Sequence, residues 1–255
     1  QLLDKAMEYD PDMILWPETA LPSYLRLSRK DRHPLQKKVN KYEIPLLSGT
    51  IDRENSENKK PVYFNGSIFF QPQKPPEIYH KVKLVPFAEY VPLSGYFPSL
   101  NDLNFGQGNF TAGKEFTLFQ FDNFSFSNLI CYESSLPNIV RKFVLKGAEF
   151  ITIQANDGWL GKTSGPYQHF EIATMRAIEN RRSIVRSANT GISGIILPSG
   201  KIIKKIPLGE KSVSKGIVSL SDRITFYTKY GNILGKWISL IFILSAGLTL
   251  WIKRL

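Results

Sequence analysis

Only one of the 255 residues is a cysteine, three are histidines, and acidic residues are outnumbered 33 to 22 by lysine and arginine. The single thiol, Cys131, excludes an intramolecular disulfide framework, and His33, His80 and His169 are too scattered to spell a zinc-ligand cluster. The shortage of acid leaves a formal net charge of +11, unevenly placed: ten basic and two acidic residues lie between Lys201 and Leu255, which puts +8 of the total there. No RNP, helix-turn-helix or finger motif accompanies that charge, so nucleic acid is a poor match for it. The start of the chain also lacks the basic n-region and apolar h-region of a signal peptide. Gln1 to Tyr9 reads instead as a short helix with Leu2, Leu3, Ala6 and Met7 on one face.

Apolar residues are plentiful, at 42%, with 13% aromatic, which is enough for a sizeable core and rules out a disordered tail. Short apolar runs mark strands at Met13–Trp16, Ile44–Ile51, Val62–Phe70, Phe116–Phe121, Phe124–Cys131, Phe150–Gln154, Ile184–Ser187, Ser193–Leu197 and Gly216–Leu220. Helical spacing appears at Leu136–Lys146 and at Gln168–Arg182, where Phe170, Ala173, Thr174, Ala177 and Ile178 share a face. Strands separated by helices, several continuously apolar, predict an α/β domain with α-β-β-α layers rather than a bundle. Arg53–Lys60 reads as a charged loop and Gln71–Pro76 as a Pro-rich turn.

From Trp237 to Ile252 sixteen residues carry no charge, bounded by Lys236 and by Lys253 and Arg254. At about 1.5 Å per residue they cover about 24 Å, short of a hydrocarbon core of about 30 Å. Extension back to Gly231, with Lys236 snorkelling, would close the gap, and Trp237 and Trp251 sit where interfacial anchors belong. The stretch is therefore expected to span a membrane, the alternative being a buried core helix. Lys253 and Arg254 favour a cytoplasmic C-terminus, which would put the domain on the other side.

Cys131 ends an apolar run and is followed at once by Tyr132, Glu133 and a helical stretch. A strand-to-helix junction exposes a nucleophile and turns backbone N–H groups toward an oxyanion. The plain alternative for a lone cysteine is a small buried hydrophobe. A thiol with an ordinary value of about 8.5 needs a base or a cation to become a nucleophile. His169 would be the papain-like base, but it lies on a helical segment with no family spacing behind it. The serine route is weaker still, because Gly191-Ile192-Ser193-Gly194 is no nucleophile elbow. Glu18, directly after Ile14-Leu15-Trp16-Pro17, and Lys81, in Tyr79-His80-Lys81, are better placed at the ends of strand-like runs. Singly each is a surface charge; with Cys131 they make a base, a cation and a nucleophile, the set that acyl transfer through a thioester requires.

Trp16-Pro17-Glu18, Tyr79-His80-Lys81, Leu84 to Pro92 and Ile130-Cys131-Tyr132-Glu133 occur in the order of the Glu-Lys-Cys triad of the nitrilase (carbon–nitrogen hydrolase) superfamily, which the chain resembles. The forms WPETALP, KVKLVPFAEYVP, ICYES, NDGWLG, GPYQH and RAIENRRSIVRSANTG resemble the apolipoprotein N-acyltransferases within it, from about residue 10 to the final apolar stretch. The resemblance implies a nitrilase-like α-β-β-α sandwich over residues 1–230, a transmembrane helix over 231–252 and a short basic tail at 253–255. It implies that Cys131 takes an acyl chain from a phospholipid as a thioester and passes it to the α-amine of an apolipoprotein's N-terminal diacylglyceryl-cysteine. Glu18 would be the general base and Lys81 the oxyanion donor, with Glu89, Glu133, Tyr132, Asn65 and Trp159 lining or shaping the site.

Lys83 and Ala88 stand where the family usually has His and Gly, which touches substrate geometry rather than the triad. The family's membrane-helix bundle and first nitrilase strand are not found upstream, so a C-terminal fragment is expected. No metal or organic cofactor is called for. The expected partners are the phospholipid donor, the apolipoprotein acceptor and a membrane, and the expected location is the bacterial inner membrane with the catalytic domain facing the periplasm. Arg176, Glu179, Arg181 and Arg182 read as braces. The aromatics from Tyr96 to Phe110 read as a lipid-facing lid, with Phe97 and Phe105 as its test positions. A small-amide hydrolase on the same fold, and a non-catalytic membrane-associated binding module, are the alternatives.

Overall fold

In the computed structural model, residues 1–55, 60–103 and 109–252 are described. The elements run α1 (Leu2–Met7), β1 (Ile14–Leu15), α2 (Arg29–Tyr42), β2 (Leu46–Asn55), β3 (Pro61–Phe70), β4 (Glu77–His80), β5 (Phe119–Phe121), β6 (Phe124–Ile130), α3 (Pro137–Leu145), β7 (Phe150–Ala155), α4 (Gly165–Asn180), β8 (Ile184–Ala188), β9 (Ser193–Ile196), β10 (Ile202–Ile206), α5 (Phe226–Tyr230) and α6 (Ile233–Ile252). Two sheets form, ordered β1-β2-β3-β4 and β10-β9-β8-β7-β6-β5. The second has a parallel centre, β6-β7-β8, with antiparallel flanks.

The pleat assigns the layers. Leu46, Ile68 and Phe70 pack with Leu3, Met7, Leu35 and Val39 of α1 and α2, while the alternate residues Leu47 and Phe69 turn to the core under the second sheet, where Phe69 meets Phe119 and Phe126. On β7, Ile151 and Ile153 join the core shared with α3 and α4, whereas Gln154 crosses to the first sheet, donating to the Trp16 carbonyl (2.6 Å) and accepting from Ser67. Asn128 of β6 donates to Ser67 (2.7 Å) and to Gln154 (2.9 Å), so the sheets are joined by a satisfied polar bridge as well as apolar contact. This is the expected α-β-β-α sandwich.

Several elements depart from the sequence expectations. α2 is a fourteen-residue helix unforeseen by apolar periodicity, because only Leu35 and Val39, one turn apart, are buried on it. Ser28 caps its start, and Glu43, left-handed at φ 56°, ends it. β10 also went unforeseen, while Gly216–Leu220 is not a strand. Its segment is held by side-chain bonds, Ser219 N–H to Ser183 Oγ (3.0 Å) and Ser183 Oγ to the Ser219 carbonyl (3.1 Å), not by a ladder.

The expected transmembrane helix over 231–252 is corrected: among the described residues no helix is long and apolar enough to cross a membrane. Gly231, at φ 69°, ends the turn between α5 and α6, so the helix begins at Ile233 and carries Lys236 as its fourth residue. The uncharged part of α6 stays at about 24 Å. Its described side chains are nonetheless exposed, Phe242 by 71%. The tail at 253–255, Phe105 of the expected lid and residues 56–59 of the expected Arg53–Lys60 loop lie outside the described residues, while Arg53, Glu54 and Asn55 of that loop extend β2 by pairing with β3.

Candidate active site

Four elements deliver the expected residues to one place. Glu18 lies just past β1, after Trp16, whose N–H donates to the Leu47 carbonyl of β2 (2.8 Å). A Cβ on Gly49 would lie 2.4 Å from the Pro17 carbonyl oxygen and 2.7 Å from the Glu18 Cα, so only glycine lets β2 run this close beneath the Glu18 turn. Asn65 lies on β3, and its carbonyl accepts from the Lys81 N–H (2.9 Å) just past β4. Glu89 is held in a tight turn in which its side chain accepts from Val85 N–H (2.8 Å) and Phe87 takes φ 61°.

Glu18, Asn65, Lys81 and Glu89 are all buried. Lys81 Nζ lies 2.9 Å from Glu89 Oε1 and 4.0 Å from Glu18 Oε1. Asn65 Nδ2 donates to both carboxylates, at 2.8 Å and 2.9 Å, and two acceptors on one nitrogen fix the amide's orientation. Glu18 Oε2 and Asn65 Oδ1 are buried with no hydrogen-bond partner among the described residues, so the site keeps two acceptors free. Ala88 lines the same small cavity, of about 30 Å3, with Glu18, Asn65, Glu89, Phe110 and Trp159. Trp159 is half exposed and donates to the Asn156 carbonyl (2.9 Å).

Cys131 follows β6 at φ 50°, a left-handed conformation costing a non-glycine residue about 1–3 kcal/mol. Glu133 anchors the turn. Fully buried, it accepts from Ile130 N–H (2.8 Å), Val82 N–H (2.8 Å), Lys83 N–H (3.1 Å) and the Tyr79 hydroxyl (2.8 Å), tying the Lys81 segment to the cysteine turn. Lys83 thus serves through its backbone. Tyr132 is half-buried beside it.

The electrostatics couple these groups. Burial, with Glu18 adding to it, pushes the Cys131 thiol up to about 12 despite Lys81. Burial also raises the Glu18 carboxyl against the opposing pull of Lys81 and Asn65. For Lys81, burial alone would lower the ammonium, but Glu18, Cys131, Glu89 and Glu133 outweigh it and hold the proton more tightly than usual. Burial raises Glu133 to about 6. The arrangement is one stable cation among proton-retentive acids, a thiol included.

Sequence reasoning missed a second group. Ligand-type atoms of Cys131, Asp157 and His169 lie within 4.8 Å of one another, a cluster the scattered histidines did not announce. His169 Nδ1 meets Asp157 Oδ1 (2.8 Å), and Arg186 Nη2 donates to Asp157 Oδ2 (2.8 Å). Both Asp157 oxygens are thus committed, one to a guanidinium, and a metal ion would have to displace a buried cation. His80 stacks on Phe64 at 4.1 Å and meets Asp52 (2.8 Å), which also takes Arg26 (2.8 Å). The arginine braces are present: Arg176 pairs Glu179 (2.9 Å), and Arg182 donates to the carbonyls of Ala148 (2.7 Å) and Arg223 (2.7 Å).

The chain has relatives among known proteins in sequence and in fold. The carbon–nitrogen hydrolase family model matches residues 1–226. The chain is 37% identical over 246 residues to an apolipoprotein N-acyltransferase of Chlorobaculum tepidum, covering 88% of this chain and 46% of that protein. It is 36% identical over 219 residues to the Aquifex aeolicus protein of the same name, covering 84% and 46%. The chain thus spans about half the length of the curated relatives it matches. Among solved structures, a carbon–nitrogen hydrolase from Helicobacter pylori aligns with TM-score 0.63 at 16% identity, covering 82% of this chain and 78% of that one, a likeness of fold.

Proposed function

The chain belongs to the carbon–nitrogen hydrolase family, and from that premise we propose that it is the catalytic part of an N-acyltransferase that moves a fatty acyl chain from a phospholipid, through a thioester on Cys131, to the α-amine of a diacylglyceryl-cysteine at the start of an apolipoprotein. The observation that carries the reading is the buried Glu18–Lys81–Glu89 cluster, bridged by Asn65 and coupled to a cysteine on a left-handed turn. The relatives' names supply the acceptor class and the group transferred, an apolipoprotein amine and an acyl chain.

Chemistry follows from who holds the proton. Glu18, with Oε2 free, takes the thiol proton as sulfur attacks the ester carbonyl, and Lys81 keeps its charge to meet the oxyanion. Collapse expels the lysophospholipid alkoxide, which receives that proton from Glu18. The acceptor amine then attacks the thioester, Glu18 removes the amine proton, and the departing thiolate recovers it. One nucleophile serves two substrates in turn, so the kinetics are ping-pong. Glu89 and Asn65 orient Lys81 and Glu18, Glu133 holds the Cys131 turn, and Tyr132 and Trp159 border the substrate.

The location that goes with this chemistry is the bacterial inner membrane, with the catalytic part facing the periplasm. The exposed apolar side chains of α6 and the basic residues from Lys201 onward support contact with lipid. The small volume beside Glu18 favours a second reading, hydrolysis of a small amide. One experiment separates them: phospholipid, a synthetic diacylglyceryl-cysteinyl peptide and small amides are each offered to the protein in detergent. Acylation of the peptide amine, with negligible amide hydrolysis, is the expected result; lipid-independent amide turnover would put the second reading in its place.

A further inference from the structure

Four buried residues that the triad does not use converge on the backbone of Cys131. Ser134 Oγ donates to the Cys131 carbonyl oxygen (2.7 Å), and His169 Nε2 lies 3.0 Å from that hydroxyl and 3.2 Å from the same carbonyl oxygen. The far side of the ring is fixed by Asp157 at Nδ1 (2.8 Å), and Asp157 by Arg186 (2.8 Å), whose Nε donates to the Ile192 carbonyl (3.0 Å). A Cβ on Gly191 would fall 2.0 Å from Asp157 Oδ2, so the chain leaves a side chain out to let this carboxylate in. Asp157, His169, Arg186 and Ser134 come from four separate segments of the chain and are all buried.

Their target is one peptide plane. The Cys131 carbonyl and the Tyr132 N–H belong to the same amide, so donors on the oxygen both fix the plane and polarise its N–H. That N–H is the one following the nucleophile, and Cys131 keeps a left-handed φ of 50°. Ser134 is the donor on the carbonyl in every state of the ring, and His169 joins it through Nε2 in the form that carries a proton on both nitrogens, since Nδ1 faces the Asp157 carboxylate. We propose that Ser134, His169, Asp157 and Arg186 are positioning residues that pin the Cys131–Tyr132 peptide, holding the thiol in its attacking conformation and aiming the Tyr132 N–H, beside Lys81, at the oxyanion formed on acyl transfer. The Ser134–His169–Asp157 arrangement has the spacing of a hydrolase relay, but its hydroxyl is spent on a backbone carbonyl. This inference rests on Cys131 being acylated.

The lone cysteine makes a clean test. Protein labelled with carbonyl-13C cysteine gives one carbonyl resonance, which reports hydrogen bonding at Cys131 with no substrate present. That resonance and the single-turnover rate of Cys131 acylation by an activated nitrophenyl ester, in detergent, are compared in wild type, His169→Ala, His169→Gln and Ser134→Ala. Expected is an upfield move of the resonance in His169→Ala and Ser134→Ala. Acylation should fall about 10- to 100-fold with half-saturating ester unchanged, and both readouts should recover in large part in His169→Gln, whose amide still donates. An unmoved resonance, or acylation within twofold of wild type in both alanine variants, overturns the proposal. If His169→Ala fails to fold, Ser134→Ala and His169→Gln decide on the same two readouts; if Ser134→Ala fails, the two His169 variants do. No acylation of the wild type would refute the acyl-transfer reading instead, while the resonance would still show whether the peptide is pinned.

Discussion

A thiol pushed up to about 12 by burial and Glu18 holds its proton at neutral pH, so the proton must leave as the bond forms. The acceptor for it is Glu18, whose carboxyl is raised by burial. A base with a raised value loses its proton-accepting form as pH falls through that value. Acylation of Cys131 is therefore expected to decline on the acid side at a pH above the ordinary carboxylate value of 4.5, with no alkaline decline through pH 9. Glu18→Gln should remove that limb and lower the rate about 10^2- to 10^4-fold, as measured by stopped-flow acylation across pH. Asp157 answers to a different balance. Burial works against its ionisation, but His169 and Arg186 prevail and depress it, so the stability it contributes is present above 3.8 and lost as pH falls through its folded value. Asp157→Asn strands the fully buried Arg186 charge and should cost about 3–5 kcal/mol in urea unfolding at pH 7. Glu18, Lys81 and Cys131 were legible because each sits in a recognisable local string at an element end. The His169 network was not, because its members are brought together only by the packing of α4, β7 and β8 around the cysteine turn.

Elements place these residues through close backbone approach. Gly49 on β2 is the clearest case: Gly49→Ala would drive a methyl into the turn that carries Glu18, and is expected to cost about 1–3 kcal/mol and to lower acylation. Thermal unfolding paired with the single-turnover rate measures both. The strands that sequence revealed, such as β3 and β7, carry β-branched and aromatic residues on either side of a few polar ones, Asn65 and Ser67 on β3 and Thr152 and Gln154 on β7, and that composition is what marked them. α2 hid because a helix on the outer layer needs only Leu35 and Val39 to dock, and its remaining residues are mostly polar. Gly216–Leu220 misled for the opposite reason, having strand-like residues beside an already occupied sheet.

At the scale of the whole molecule, the basic and apolar residues of the last quarter form one surface problem. α5 is tied to α3 through Arg141, which donates to the carbonyls of Tyr227 (2.9 Å) and Lys229 (3.0 Å), whereas the described side chains of α6 are largely exposed. A chain ending at Gly231 is expected to keep its thermal transition yet bind anionic phospholipid vesicles at least about tenfold less than the full chain in flotation assays. Binding of the full chain should weaken with salt, since each basic residue near such a surface contributes about 1 kcal/mol and is screened. Equal binding by both chains would remove α6 from the lipid contact.

The most direct measurement is the intact mass of the 255-residue chain after incubation with phospholipid and no acceptor. A single added acyl mass, mapped to Cys131, labile to hydroxylamine and lost on adding a diacylglyceryl-cysteinyl peptide, is the predicted result. No adduct on the wild type, or an adduct that persists in Cys131→Ala, would contradict it.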